Sequence, residues 1–248
     1  MKQNYYGSLV TKMYEILHKE TPKDELNFYL SYAKKEMKIL EVMCGSGRFL
    51  ISFKQLGYNI MGIDSSKEML NKLKEKDKNA HYKCIDILKF YSKDFFDYIF
   101  ITSGSVSLFT DLNQCKEMLT KIQNLLSKKG LFVFAVDSIA CKEKDDDDFK
   151  INVSVETDEG YELILKTKNH FDVKTQTQYS PGIYELYNQN KLLKKEKMNF
   201  QTHLYQYKEM EKILKEIGFK KVFTYSNFNK DVANNDDTEM FLFECYKE

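Results

Sequence analysis

From about residue 38 to residue 137 short apolar runs alternate with amphipathic stretches, and no other feature of the chain constrains its fold so strongly. Residues 39–43, 59–63, 81–85, 98–102 and 131–136 are short apolar runs that read as strands. Between them, residues 49–56, 67–78 and 112–126 carry apolar side chains at helical spacing, with Gly57 and Gly130 as stop signals. Strands separated by helices are joined through right-handed crossovers, which gives a parallel sheet covered on both faces. Ahead of this unit, Leu9, Val10, Met13, Ile16 and Leu17 recur at helical spacing, and Thr21-Pro22-Lys23-Asp24 predicts a capped second helix running to about residue 35.

After Asp137 the texture changes. The acidic run Glu143-Lys144-Asp145-Asp146-Asp147-Asp148 reads as a solvated loop, with a divalent-cation cluster as the weaker alternative. Ile151, Val153 and Val155, then Tyr161, Leu163 and Leu165, alternate with polar residues around a Thr157-Asp158-Glu159-Gly160 turn, which predicts a hairpin. Residues 171–179, 182–187 and 192–200 extend it to an antiparallel sheet of three or four strands. A helix at 208–217 stopped by Gly218, a strand at 221–225 and a closing strand at 240–246 return to the first pattern.

The 248 residues suit one domain with an elaboration. With 38 basic and 37 acidic residues the net charge is +1, so there is no bulk attraction to nucleic acid or anionic lipid. The five cysteines lack a CxxC pair and the four histidines lack metal-site spacing, so no disulfide framework or metal is expected. The longest apolar run, residues 131–136, is far short of a membrane span, and the first residues hold no signal-peptide core. A cytoplasmic protein with no membrane partner is expected.

The informative segment is Glu41-Val42-Met43-Cys44-Gly45-Ser46-Gly47-Arg48, between the first strand and the first crossover helix. In an open parallel sheet a ligand sits there, since a glycine-rich turn admits it closely and the helix start offers free N–H groups. A dinucleotide fingerprint needs glycine where Leu50 stands, and Gly47-Arg48-Phe49 is not a P-loop ending. Asp64, ending the second strand, is placed either to accept both hydroxyls of a ribose or to cap the next helix. Asp86 repeats that position at the third strand. Arg48, the single arginine of the chain, opposes the helix dipole unless an anion lies close.

These segments together resemble the class I S-adenosylmethionine-dependent methyltransferases of small-molecule type. Glu41 to Gly47 resembles their cofactor loop, Gly62-Ile63-Asp64-Ser65-Ser66-Lys67-Glu68-Met69-Leu70 their ribose-binding segment, and Cys84-Ile85-Asp86 their adenine-contacting segment. Residues 209–219, EMEKILKEIGF, are similar to the helix before their terminal hairpin. The resemblance implies an α/β, Rossmann-like, seven-stranded and mostly parallel sheet with helices on both faces, its last strand antiparallel, plus an inserted antiparallel sheet. It divides the chain into N-terminal helices at 1–36, a cofactor-binding core at 37–140 and 204–248, and a substrate-covering insertion at 141–203.

It also implies S-adenosylmethionine as methyl donor, held by Glu41, Cys44, Gly45, Gly47, Arg48, Asp64, Ser65, Met69, Asp86, Ile87 and Ser103. Gly45 and Gly47 would flank the methionine moiety, Arg48 its carboxylate, Asp64 the ribose, and Met69 and Asp86 the adenine. Met43 replaces the usual first glycine, which implies a wider turn. Asp137, His203 and Tyr6 are the candidate catalytic residues, Asp137 as a base or substrate-orienting group at the fifth strand end and Tyr6, with Tyr5 and Tyr14, from a segment folded over the site. The expected acceptor is a small molecule, since Ser103-Gly104-Ser105-Val106 replaces the segment that holds a flipped base. The alternatives are an RNA or protein methyltransferase and a non-catalytic cofactor-binding protein. Oligomeric state is not legible. The insertion and the N-terminal helices are expected to enclose the acceptor.

Overall fold

A computed structural model of the chain describes residues 4–248. Two helices, α1 (Ser8–Leu17) and α2 (Lys23–Leu30), precede the core. The core runs β1 (Lys38–Val42), α3 (Arg48–Gln55), β2 (Asn59–Asp64), α4 (Lys67–Lys76), β3 (Tyr82–Cys84), β4 (Phe96–Ile101), α5 (Leu112–Leu125) and β5 (Leu126–Asp137). The insertion holds β6 (Lys150–Glu156), β7 (Glu162–Thr167), β8 (His170–Asp172), β9 (Thr177–Tyr179), β10 (Gly182–Asn188), β11 (Lys191–Met198) and β12 (Gln201–His203). The chain closes with α6 (Glu209–Ile217), β13 (Lys221–Tyr225) and β14 (Met240–Tyr246).

The main sheet has seven strands in the order β13-β14-β5-β4-β1-β2-β3, and β14 lies antiparallel to both of its neighbours. The strand order reverses between β1 and β4, which opens a crevice at the carboxyl ends there. Alternate residues feed the two faces. Leu40, Val42, Ile99, Ile101, Phe132 and Phe134 pack against α5 and α6 through Met118, Ile122, Ile213 and Leu214. Ile39, Tyr98, Phe100 and Val133 pack instead on Phe28 and Tyr29 of α2 and on Phe49 and Phe53 of α3. The buried hydroxyls on this second face are satisfied, Tyr29 donating to the Ile101 carbonyl at 2.9 Å and Tyr98 to the Tyr29 carbonyl at 3.0 Å. No helix among the described residues is long and apolar enough to cross a membrane.

Three local expectations need correction. Helix α2 stops at Leu30, where the Ser31 hydroxyl bonds the Phe28 carbonyl at 2.7 Å and competes with the helix ladder. Thr21 does not cap it; Pro22 holds the cap position and the Thr21 hydroxyl donates to the Arg48 carbonyl. Residues 171–179 are not one strand, because the Asp172 carboxylate accepts from the Lys174 N–H and the Thr175 hydroxyl and turns the chain back into the β8–β9 hairpin. The insertion consequently makes two sheets, β11-β10-β7-β6 and β12-β9-β8.

The acidic run is used at two points: Asp145 accepts from the Phe171 N–H and Asp146 from the Asn169 N–H, both near 3 Å, which pins the run to the start of the hairpin. No group of three or more His, Cys, Asp or Glu among the described residues is arranged to hold a metal ion.

The four-stranded sheet buries one face on α1. Val153, Val155, Leu163, Leu165, Tyr184 and Leu186 meet Leu9 and Met13 of the helix. Ile151 was expected on that face but is 64% exposed, because the pairing of β6 with β7 slips between Ile151 and Val153. The slip is a bulge with Asn152 as the extra residue, so the alternation changes phase there. Glu196 of β11 then caps α1 from outside: its Oε2 accepts from the Leu9 N–H and the Ser8 hydroxyl, each at 3.1 Å. Helix α1 is therefore built into the insertion. It is tied to the core by the Glu15–Lys76 ion pair, and Asn4 bridges the Leu108 carbonyl to the main chain at Gln201.

Candidate active site

The loop from β1 to α3 turns through three left-handed residues, Met43 (φ 59°), Gly45 (φ 53°) and Gly47 (φ 81°). Met43 thus keeps the turn a glycine would make, at a backbone cost of ~1–2 kcal/mol, and the wider turn expected there is not present. Gly47 could carry no side chain, since a Cβ would lie 2.3 Å from Leu73. Cys44 is buried beneath the loop, where burial pushes its thiol well up, so it is packing rather than a nucleophile.

Asp64 closes this loop against β2. Its Oδ2 accepts the Gly45 N–H at 2.8 Å and its Oδ1 the Ser66 N–H at 2.7 Å. The cap of α4 is Ser66, whose hydroxyl accepts the Met69 N–H and donates to the Tyr6 carbonyl. Asp86 accepts the Leu88 N–H at 3.0 Å and so caps a short 3₁₀ turn at Ile87–Lys89.

Three cavities lie in contact along the carboxyl ends of the strands. One of about 140 Å³ is bounded by Asp86, Ile87, Phe109 and Gln114. It shares Met43, Asp64 and Ser65 with a second of about 100 Å³, which holds Glu41, Cys44, Gly45, Arg48, Met69 and Ser103. The second shares Tyr6 and Tyr14 with a third of about 330 Å³, between α1 and the four-stranded sheet. Met69 lines the second cavity beside Gly45 and not the first, so it stands away from Asp86 rather than with it. Gly47 lies beneath the row, on Leu73.

Two buried polar atoms in the second cavity have no partner among the described residues: Glu41 Oε2 and Arg48 Nε. Burial, reinforced by the Asp64 charge, holds the Glu41 carboxyl well above the ordinary carboxylate range. The Arg48 guanidinium reaches the Ser103 hydroxyl at 3.2 Å and lies 5.4 Å from the centre of the Tyr14 ring. Ser103 is itself fixed, its N–H donating to Glu25 at 2.7 Å. An amino acid's ammonium and carboxylate would complete these two orphans, which is the pair of groups that the methionine moiety carries.

Of the candidate catalytic residues, Tyr6 borders both the second and the third cavity. Burial pushes its hydroxyl up, and the charges of Asp64 and Asp137 act in the same direction. Asp137 ends β5; its carboxylate sits where a Cβ on Gly104 would come within 2.5 Å, and burial pushes it up to about 6. His203 stands apart from the cavities. Nδ1 meets the Thr175 carbonyl at 3.0 Å and Nε2 the Glu209 carboxylate at 2.9 Å, so both ring nitrogens tie β12 to the hairpin turn and to α6. It is a structural residue, not an acid or base of the site. Tyr14, expected with Tyr6 in the segment over the site, borders the second and third cavities, whereas Asn152 borders the third and carries no local sequence signal for it; the bulge that turns Asn152 is visible only in the pairing.

Residues 39–130 match the family model of the methyltransferase domain. A protein of Methanocaldococcus jannaschii is 28% identical over 98% of this chain and 84% of its own length. Among solved structures, an S-adenosylmethionine-dependent methyltransferase of Clostridium acetobutylicum aligns with a TM-score of 0.75 at 17% identity, covering 94% of this chain and 96% of that one. The sugar N-methyltransferase KedS8 of Streptoalloteichus aligns with a TM-score of 0.74 at 15% identity, covering 98% and 96%. Residues 39–130 thus match a methyltransferase domain, and the strand order and the loop after β1 give the chain the fold of these solved structures.

Proposed function

We propose that this chain is an S-adenosylmethionine-dependent methyltransferase that acts on a small-molecule acceptor held in the cavity between α1 and the inserted sheet. The observation that carries the reading is the continuity of the three cavities through Met43, Asp64 and Ser65 on one side and Tyr6 and Tyr14 on the other. On this reading Asp86, Ile87 and Gln114 border the adenine, Asp64 and Ser65 the ribose, and Gly45, Glu41, Arg48 and Ser103 the methionine end. Gly47 shapes the loop rather than touching the ligand. S-adenosylmethionine, when bound, supplies a sulfonium methyl that is already activated for displacement. The chain has to align the acceptor, keep water out and take up a proton where one is released.

Tyr6 and Tyr14 form the passage between donor and acceptor, and their rings meet edge to face at 6.1 Å. Asp137 lines none of the three cavities, but its charge is felt at Tyr6, and on this reading it is the proton acceptor or cation-stabilising group at the edge of the site. A cavity of about 330 Å³ suits a small molecule and not a nucleic-acid strand or a folded protein. Similarity to a sugar N-methyltransferase points the same way.

Calorimetric titration with S-adenosylhomocysteine tests the donor half of the reading: saturable binding is expected, and no binding at millimolar ligand would overturn it. Salt-sensitive retention on bulk RNA would favour the RNA-methylating alternative.

A further inference from the structure

The walls of the third cavity have an unusual charge balance for this chain. Although 38 of the 248 residues are Lys or Arg, none lines it. Among its lining residues the one carboxylate is Glu143, which is exposed, and the one imidazole is His18, which burial and the Arg48 charge hold below its ordinary value. The wall built by the insertion presents Asn152, Thr167, Asn169, Ser180 and Tyr184, whose side-chain polar atoms make no hydrogen bond among the described residues. Facing them are the apolar side chains of Val10 and Met13 and the Tyr14 ring of α1.

Each part restricts the ligand. A phosphate or carboxylate held here needs a cation beside it, and the lining offers no Lys or Arg, an imidazole that burial keeps from charging, and the Glu143 carboxylate. Amide and hydroxyl groups that both donate and accept match ligand hydroxyls, which do the same. An apolar and aromatic floor opposite them suits the C–H face of a saturated ring. An alcohol oxygen must surrender its proton to a positioned base as it attacks, and Asp137, the candidate base, lines none of the three cavities. A neutral amine nitrogen attacks with its own lone pair.

We propose that the acceptor is a small hydroxyl-bearing amine of the amino-sugar kind, free of anionic groups, selected by Asn152 and Glu143. The proposal rests on the placement of the acceptor in this cavity. Asn152 owes its position to the bulge in β6, which inserts a polar residue where the strand's regular alternation would put an apolar one. In the transfer, the ammonium first gives up one proton to water or to Asp137. The amine lone pair then forms the N–CH₃ bond as the C–S bond breaks, the bonding pair passing to sulfur and the positive charge to nitrogen. Methyl count and charge balance without an oxidant, reductant or metal.

The test uses the full chain saturated with S-adenosylhomocysteine, titrated with glucosamine, glucose and glucuronate, which place a cation, no charge and an anion on related rings. Glucosamine should bind at least ~10-fold more tightly than glucuronate, with glucose between them. Glu143→Lys should shrink or invert that order, and Asn152→Ala should weaken glucosamine and glucose together, about fivefold. Neither change should alter the affinity for S-adenosylhomocysteine. Binding of S-adenosylhomocysteine with glucuronate preferred, or with none of the three bound, overturns the proposal while leaving the donor site standing. Failure of S-adenosylhomocysteine itself to bind defeats the underlying reading instead.

Discussion

The cavities proposed for the donor and the cavity proposed for the acceptor treat their polar groups differently. Around the donor loop most are already committed to one another: both Asp64 oxygens hold backbone N–H groups, Ser66 bridges α4 to Tyr6, and Glu25 fixes Ser103. Along the inserted wall, the side-chain polar atoms of Asn152, Asn169, Thr167 and Ser180 make no hydrogen bond among the described residues. Committed groups cost no reorganisation when a ligand arrives and suit one that never changes. Uncommitted groups on an antiparallel insertion can be replaced singly without disturbing the main sheet, which suits a ligand that differs from one enzyme to the next.

The comparison breaks most sharply if the N-terminal segment is removed. Deleting residues 1–18 takes away Tyr6, Tyr14 and the helix that floors the acceptor cavity. Turnover should fall by ~10³-fold or more, with S-adenosylhomocysteine affinity held within about tenfold. A truncated enzyme with full activity would make the segment mere scaffold.

Asp64→Ala probes the committed side. Losing a charged acceptor that organises the loop should weaken S-adenosylhomocysteine binding ~100-fold by calorimetry, while acceptor affinity in the loaded protein is unchanged. Unaltered donor affinity would place the ribose elsewhere.

Asp137→Asn has effects of opposite sign on activity and stability. Wild-type activity should rise with pH through about 6 as the carboxylate ionises, and the variant should lose that limb together with ~10²-fold of rate. For stability, a carboxyl raised above its unfolded value favours the protonated form. Folding is therefore penalised as pH climbs from about 4 through about 6, and the variant should be more stable than wild type at neutral pH by ~1–2 kcal/mol. Equal melting temperatures at pH 5 and 7.5 for both proteins would show that the carboxylate is not buried at cost.

The smallest expected effect is that of Glu196→Ala, which removes the cap of α1 and should cost ~1 kcal/mol, a fall of ~2–4 °C in melting temperature. It should raise KM for the acceptor and leave donor affinity alone. A change in donor affinity instead would mean that the two sides are mechanically one.

The same division explains what could be read from sequence. The strand ends and the donor loop were legible because their signals are local: Gly45 and Gly47 follow a strand by fixed spacing, and Asp64 ends the next. Residues 221–225 and 240–246 were placed to the residue by alternation and Gly218. The acceptor side resisted because its determinants are pairings between distant segments. The slip at Asn152 depends on how β6 meets β7, and the cap of α1 comes from β11. His203 is a candidate acid or base from sequence because nothing near it announces Thr175 or Glu209 as the partners of its two nitrogens. Met43 broke the loop's glycine pattern without breaking its geometry, since a side chain can occupy the left-handed region at a price the surrounding fold absorbs.

The cap on α1 has a consequence for how the molecule is made. Leu9 leaves the ribosome early, yet the carboxylate that holds its N–H is synthesised 187 residues later, and the Gln201 partner of Asn4 comes 197 residues after it. A helix of ten residues is not stable alone in water. Through most of translation the first segment is thus an unpaired chain, and the compartment for the acceptor closes only once the insertion has emerged. A polypeptide cut short before residue 196 holds the donor loop but lacks α6, β13, β14 and the cap on α1, so the main sheet and the proposed acceptor compartment are completed together by the last segments to emerge.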